Sequence, residues 1–191
     1  MKICFATNNA NKLFEIKNLL ADTSYEVQSL EAIGCKEALP ETSDTIAGNS
    51  LQKAQYVFDN YQIACFADDT GLEVEALEGA PGIYSARYAG PQRSATDNNT
   101  LLLTNLKDEE NRKARFKTVI SYVCPEGFQQ FTGIVNGKIT ESLSGTAGFG
   151  YDPIFLPDGF NRTFAEMDVV QKNQISHRAL ATRQLIDYLT R

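Results

Sequence analysis

Apolar residues recur in this chain at two spacings, and the spacings alternate. Ile3 to Ala6 is a short apolar run that predicts a strand over residues 2–6. Leu13, Ile16, Leu19 and Leu20 follow at helical spacing and predict an amphipathic helix from Asn11 to Leu20. Glu26 to Leu30 reads as a second strand, followed by an irregular stretch to about Asp44 that contains Gly34 and Pro40. Ile46, Ser50, Leu51, Ala54, Val57, Phe58 and Tyr61 mark one face of a longer helix, and Ile63 to Ala67 is a continuous apolar run suited to a strand buried on both faces. Gly79-Ala80-Pro81-Gly82 interrupts the chain. Leu101, Leu102, Leu103 and Leu106 predict a helix capped by Thr96 or Asp97. Phe116 to Val123 and Gln129 to Val135 read as strands paired around Pro125-Glu126-Gly127, and the last helix runs from about Ser176 to Thr190 with Leu180, Leu185 and Leu189 inward.

Strands and helices alternate in the first half and strands follow one another later, which predicts an α/β fold with a mixed, twisted sheet flanked by helices. At 191 residues, with no repeat, low-complexity segment or linker, the chain reads as a single domain spanning 1–191. Hydrophobic residues at 42% and charged residues at 22% are ordinary for a globular chain and supply an ample core. The formal charge of -6 disfavours non-specific binding to nucleic acid, so any phosphate site has to be local. The apolar start turns polar at Thr7, too soon for a signal peptide or a membrane span. Cys4, Cys35, Cys65 and Cys124 are widely spaced and form no Cys-x-x-Cys pair, a pattern of reduced, buried thiols in a cytoplasmic protein. With one His in the chain, a His-rich metal site is excluded, whereas an oxygen-loving ion such as magnesium fits the acids present.

Chemistry concentrates in a few polar clusters. Asp68-Asp69-Thr70-Gly71 reads as a turn at the exit of the apolar strand, and two adjacent carboxylates there call for a cation between or beside them. A divalent metal is the favoured partner, and a plain Asp-rich turn is the alternative. Thr7-Asn8-Asn9-Ala10-Asn11-Lys12 sits where the first strand becomes a helix, and free backbone N–H groups plus Lys12 make a cradle for phosphates. The same residues also read as an Asn-rich helix cap with a surface lysine. The Gly-x-x-x-x-Gly-Lys loop is absent. Asn49 and Lys53 share a helix face, so Lys53 can meet phosphate oxygens while Glu41 shares a metal with Asp69; in isolation both would be solvated surface charges. Gly148-Phe149-Gly150-Tyr151-Asp152-Pro153 offers two aromatics for stacking on a base and a carboxylate for sugar or ring groups. Lys172, His177 and Arg178 add the donors a 6-oxo purine needs.

In this order the motifs closely resemble the inosine triphosphate pyrophosphatase family, which hydrolyses dITP, ITP and XTP to the monophosphate and pyrophosphate. The resemblance runs from Thr7 to Arg178. Its most specific pieces are Ala67-Asp68-Asp69-Thr70-Gly71-Leu72, the stretch Gly79-Ala80-Pro81-Gly82-Ile83-Tyr84-Ser85-Ala86-Arg87-Tyr88, Gly148 to Phe155, and Ser176-His177-Arg178. It implies that Thr7, Asn8, Asn9, Ala10, Asn11, Lys12 and Lys53 hold the triphosphate. Glu41 and Asp69 would bind Mg2+, with Asp69 as proton acceptor for water. Thr70, beside the acid pair, would be one of the substrate-binding residues, and Phe149, Gly150, Tyr151, Asp152, Lys172, His177 and Arg178 would hold the purine and sugar. It further implies an elongated, two-lobed fold with a central cleft, and a homodimer; the acidic charge and the short apolar start point to neither nucleic acid nor membrane as partner. Two positions depart from the usual pattern: Asn8 stands where many members have glycine, and Thr70 replaces a frequent serine. Asn8 tolerates left-handed backbone, so the loop is expected to form. Two other readings of the residues are a transferase using the same cradle, and a nucleotide sensor or single-stranded RNA binder with Phe149 and Tyr151 as stacking platforms. The second leaves Asp68-Asp69 unexplained.

Overall fold

Alternation along the first strand gives one sheet two apolar faces. In the computed structural model, which describes residues 1–191, β1 (Lys2–Phe5) turns Ile3 and Phe5 to one side and Cys4, with the following Ala6, to the other. α1 (Ala10–Leu20) follows, then β2 (Glu26–Gln28), α2 (Ile46–Tyr61), β3 (Cys65–Val74), α3 (Ala95–Asn105), β4 (Lys113–Cys124), β5 (Gly127–Ile139), β6 (Phe155–Pro157), α4 (Val169–Ile175) and α5 (His177–Leu189). The six strands form one sheet in the order β2-β1-β3-β4-β5-β6. The sheet is mixed as expected: β1 pairs in parallel with β2 and with β3, Cys4 facing Cys65 and Phe5 facing Phe66, while β5 and β6 run antiparallel.

The chain divides into two compact units, each assembled from separate segments: residues 1–69, 118–133 and 178–191 in the first, 70–117 and 134–177 in the second. Two of these boundaries fall inside motifs, between Asp69 and Thr70 and between His177 and Arg178. In the first unit Ile3, Phe5, Phe66 and Ile120 pack against Ile16 and Leu20 of α1 and Ala181 and Leu185 of α5. Phe5 and Phe66 are stacked, ring centroids 4.7 Å apart. The opposite face packs Ala6, Cys65, Ala67 and Val123 against Ala54 and Val57 of α2. The second unit has its own core of Leu72, Leu102, Phe116, Ile139, Tyr151, Phe155 and Phe164. All four cysteines are free and buried, and no helix is long and apolar enough to cross a membrane.

Several boundaries differ from the pattern's expectation, for identifiable reasons. β3 does not end at Ala67 but runs on through Asp68, Asp69, Thr70 and Gly71 to Val74. Asp and Gly are poor strand formers, but β3 lies between β1 and β4 in the sheet, and cations from elsewhere in the fold, described below, hold its acids. Ser94, not Thr96 or Asp97, caps α3: its hydroxyl accepts the Asp97 N–H at 3.2 Å. The inner face of α5 carries Arg178, Ala179, Ala181, Thr182 and Leu185, while Leu180 and Leu189 are half-buried.

One buried hydroxyl ties α2 into the sheet next to the acidic pair. Ser50 Oγ donates to the Ala67 carbonyl at 2.8 Å and accepts the Ser121 N–H at 2.9 Å, so it bridges β3 and β4 from a fully buried position. Ser50→Ala leaves a buried carbonyl and a buried N–H without this partner. It is expected to lower unfolding free energy by about 2 kcal/mol in urea titrations; a loss below about 0.5 kcal/mol would show that the bridge is dispensable.

Candidate functional site

In the first unit the junction between β1 and α1 places a helix start beside the acids of β3. Asn9 caps α1, its Oδ1 accepting the N–H groups of Asn11 (3.0 Å) and Lys12 (3.2 Å), and Thr7 Oγ1 accepts the Asn9 N–H at 3.2 Å. Asn8, Asn9, Ala10 and Asn11 are exposed. The cap therefore engages two of the amides that the sequence assigned to phosphate, and an incoming anion has to share or displace Asn9. Asn8 is not among the residues with left-handed backbone, so asparagine carries no strain there.

Lys12 reaches from α1 to Asp68, its Nζ 3.0 Å from both carboxylate oxygens. Arg178 comes from the start of α5, its Nε donating to Asp68 Oδ2 at 3.1 Å and its Nη1 to Glu15 Oε2 at 2.5 Å. Asp68, Arg178 and Glu15 are all buried. Burial pushes the Asp68 carboxyl up, but Lys12, Arg178 and Lys53 overcome it and hold the group well below the usual carboxylate range. Burial likewise pulls down the Lys12 ammonium, and there it outweighs Asp68. For Arg178, burial opposes the charge, and Asp68 and Glu15 more than offset it.

Asp69, the next residue, has the opposite character. Its side chain keeps 16% of its surface, and Lys53 Nζ lies 3.5 Å from Oδ1. Burial raises its carboxyl, and Asp68 and Glu41 add to the rise against the pull of Lys53 and Lys12. Lys53, on the buried face of α2, also donates to Glu41 Oε1 at 2.8 Å, so one ammonium gathers the Glu41 and Asp69 carboxylates. Burial opposes the Lys53 charge, but Asp69, Asp68 and Glu41 hold its ammonium above its ordinary value. Asn49 shares that face as expected and accepts the Ser43 N–H at 2.9 Å, fixing the segment just after Glu41. Adjacent carboxylates thus differ: Asp68 is a clamped anion, and Asp69 is a more basic carboxylate with access to solvent.

In the second unit the loop 148–152 and α4 form a compact cluster. Asp152 is buried, and its Oδ2 accepts the Phe149 N–H at 2.7 Å and the Lys172 Nζ at 2.8 Å. Lys172 also lies over the Phe149 ring, 4.8 Å from its centroid. Gly148 has φ +74, and a Cβ there would collide with the Asp152 carboxylate, so this position admits no other residue without rearrangement. Phe149 is half-buried, but the Tyr151 ring belongs to the core and its hydroxyl donates to the Ser85 carbonyl at 2.8 Å. Of the two aromatics expected to stack on a base, only Phe149 retains surface. His177 is buried with its ring stacked on Phe116, centroids 4.4 Å apart. Thr70 is half-buried beside Asp69 in the strand.

The expected residues therefore gather in two sets. Thr7 to Lys12, Glu41, Lys53, Asp68, Asp69 and Arg178 are in the first unit; Thr70, Phe149 to Asp152, Lys172 and His177 are in the second. Arg178, grouped in the sequence with His177, has its Asp68 and Glu15 contacts in the first unit. Glu15 was missed by the sequence reading. Its only signal was an acid beside Ile16 on the inward side of an amphipathic helix, a position where an unpaired carboxylate is costly.

Comparison with known proteins places this arrangement among relatives. The profile described as Ham1 family matches residues 3–188. A dITP/XTP pyrophosphatase of Flavobacterium johnsoniae is 56% identical over 191 residues, covering 100% of this chain and 98% of that one. One from Porphyromonas gingivalis is 51% identical over 98% of this chain and 97% of its own. Among solved structures, the Ham1 protein of Staphylococcus aureus matches with a TM-score of 0.91 at 38% identity, covering 100% of this chain and 98% of that one. A nucleoside-triphosphatase / dITP/XTP pyrophosphatase of Mycobacterium abscessus matches at 0.79 and 39%, over 99% of both chains.

The clamp on Asp68 predicts a large asymmetry in stability. Asp68→Asn removes the charge between Lys12 and Arg178 and leaves both cations without their shared anion in the interior. Its unfolding free energy, measured in urea, is expected to fall by about 3 kcal/mol or more. A loss under about 1 kcal/mol would mean that the two cations find other partners.

Proposed function

This chain belongs to the Ham1 family, and on that premise we propose that it hydrolyses the non-standard purine nucleoside triphosphates dITP, ITP and XTP to the monophosphate and pyrophosphate. The observation that carries the reading is the contrast between Asp68 and Asp69: one carboxylate neutralised by buried cations, the next raised, partly exposed and gathered with Glu41 by Lys53. A general base has to reach water and be free to take up its proton, which fits the partly exposed Asp69 and not Asp68, buried and clamped between Lys12 and Arg178. The names of the relatives, dITP/XTP pyrophosphatase at 56% and 51% identity, supply the substrate class.

In this reading Asp69 takes the proton from a water whose oxygen bonds to phosphorus, while the bridging P–O bond between the α and β phosphates breaks and pyrophosphate leaves. Lys53, Lys12 and the start of α1 draw the triphosphate chain by charge and amide donors. Glu41 and Asp69 would hold Mg2+, which when bound offsets negative charge on the phosphate oxygens. The donor set fits that ion. Two carboxylates share one ammonium here, and magnesium is bound by one or two carboxylates with substrate oxygens and water completing its shell. No group of three or more acid, His or Cys side chains is arranged to hold a metal by protein alone, in keeping with an ion that arrives with its nucleotide. The cluster of Phe149, Asp152 and Lys172 takes the nucleoside: the ring offers a stacking face and the ammonium a donor for the 6-oxo group of a deaminated purine. An exocyclic amine of adenine or guanine meets a mismatch there, a difference that can reach orders of magnitude in rate. We take the enzyme to act in the cytoplasm as a homodimer; four buried free thiols suit a reducing compartment.

Incubation with magnesium and, separately, dITP, XTP, ATP and dGTP is expected to give pyrophosphate from dITP and XTP and little from ATP or dGTP. Removal of the metal with EDTA is expected to stop turnover, and added magnesium to restore it. Orthophosphate as the direct product, or transfer to an acceptor other than water, would replace this reading with the transferase one.

A further inference from the structure

A buried asparagine outside the motifs bonds to the loop that carries Phe149 and Asp152. Asn99 lies on α3, 3% exposed, and its Nδ2 donates to the Gly150 carbonyl at 2.9 Å. Its Oδ1 is buried with no hydrogen-bond partner. An orphaned buried acceptor is destabilising, and the opposite amide orientation is closed because it would set Oδ1 against the Gly150 carbonyl. The fold thus retains a polar group whose other half is unsatisfied, and the bond to Gly150 is what that group supplies.

Gly150 is where such a bond has leverage. It has φ +64 and open space where a side chain would stand, so neither sterics nor a side chain holds its peptide in place. On one side it adjoins Phe149, whose N–H and ring meet Asp152 and Lys172; on the other it adjoins Tyr151, anchored through its hydroxyl to the Ser85 carbonyl. The neighbouring Asn98 fastens α3 to the same wall, its Nδ2 donating to the Ser85 and Ala86 carbonyls at 3.3 and 3.2 Å and its Oδ1 accepting the Ala89 N–H at 2.7 Å. α3 is therefore fixed by Asn98 and fixes the loop by Asn99.

We propose that Asn99 is a positioning residue for nucleoside recognition: by holding the Gly150 carbonyl it sets the Phe149 ring and the Asp152–Lys172 pair, and so governs affinity for the nucleoside part of the ligand while leaving the phosphate part untouched. The inference rests on the nucleotide-hydrolysis reading above and adds a residue to it.

The test measures two half-ligands separately. Binding of dIMP and of pyrophosphate, each with magnesium, is followed by calorimetry for the wild type, Asn99→Asp and Asn99→Ser, together with kcat and KM for dITP. Asn99→Asp keeps the shape and replaces the donor with an acceptor. It is expected to weaken dIMP binding and raise the dITP KM by about tenfold, with pyrophosphate affinity unchanged and kcat changed far less than KM. Asn99→Ser restores a donor and is expected to recover part of the loss. It carries the same comparison, with a smaller split between dIMP and pyrophosphate, if Asn99→Asp does not fold. Equal loss for both half-ligands, or dIMP binding as tight as in the wild type, would overturn the proposal. Failure of the wild type itself to bind either half-ligand would overturn the reading beneath it, and is seen before any variant is made.

Discussion

Asp68 is the anion on which the first unit is organised. Its carboxylate receives Lys12 from α1 and Arg178 from α5, and Arg178 carries the chain of charge back to Glu15 of α1, so two distant helices meet on one side chain of β3. Asp68, Arg178 and Glu15 are buried ionisable groups, unfavourable one by one and tolerable as a network that the half-buried Lys12 completes. That network explains why a strand can continue through Asp-Asp-Thr-Gly, and why the two aspartates differ. Asp68 is held as an anion by its cations, whereas Asp69 keeps surface and faces Lys53 and Glu41, its carboxyl raised by burial and by the charges of Asp68 and Glu41.

Much of the scaffold was legible in the sequence because its signals are local. The short apolar run at Ile3 to Ala6, helical spacing at Leu13 to Leu20 and from Ile46 to Tyr61, and the hairpin around Pro125-Glu126 all reported elements that the structure contains. Long-range decisions were not legible in this way. Asp68 to Gly71 has the local composition of a turn, yet it lies in a strand between β1 and β4, with its buried acid held by cations fifty-six and one hundred and ten residues away. Ser50 looked like one more small residue on an apolar helix face, yet its hydroxyl bridges two strands.

The candidate site shows the same division. The motifs named residues that the fold brings together: Glu41, Lys53 and Asp69 meet, as do Phe149, Asp152 and Lys172. They did not distinguish neighbours within a motif. Phe149 and Tyr151 are equivalent as sequence, but one keeps surface and the other is packed beneath the loop. Asn9 fits both sequence readings, phosphate cradle and helix cap, and in the structure it is the cap that engages the Asn11 and Lys12 amides. Glu15 and Asn99 lay outside every motif, because their contribution comes only from the groups they meet in space.

The central claim is that Asp68 stabilises the fold and Asp69 performs the proton transfer. The most direct measurement is turnover of dITP by Asp69→Asn, taken together with its urea unfolding curve. The account predicts a loss of turnover of about a thousandfold or more, the range expected for removing a general base, with unfolding free energy within about 1 kcal/mol of the wild type. Near-normal turnover in a folded Asp69→Asn protein would contradict it.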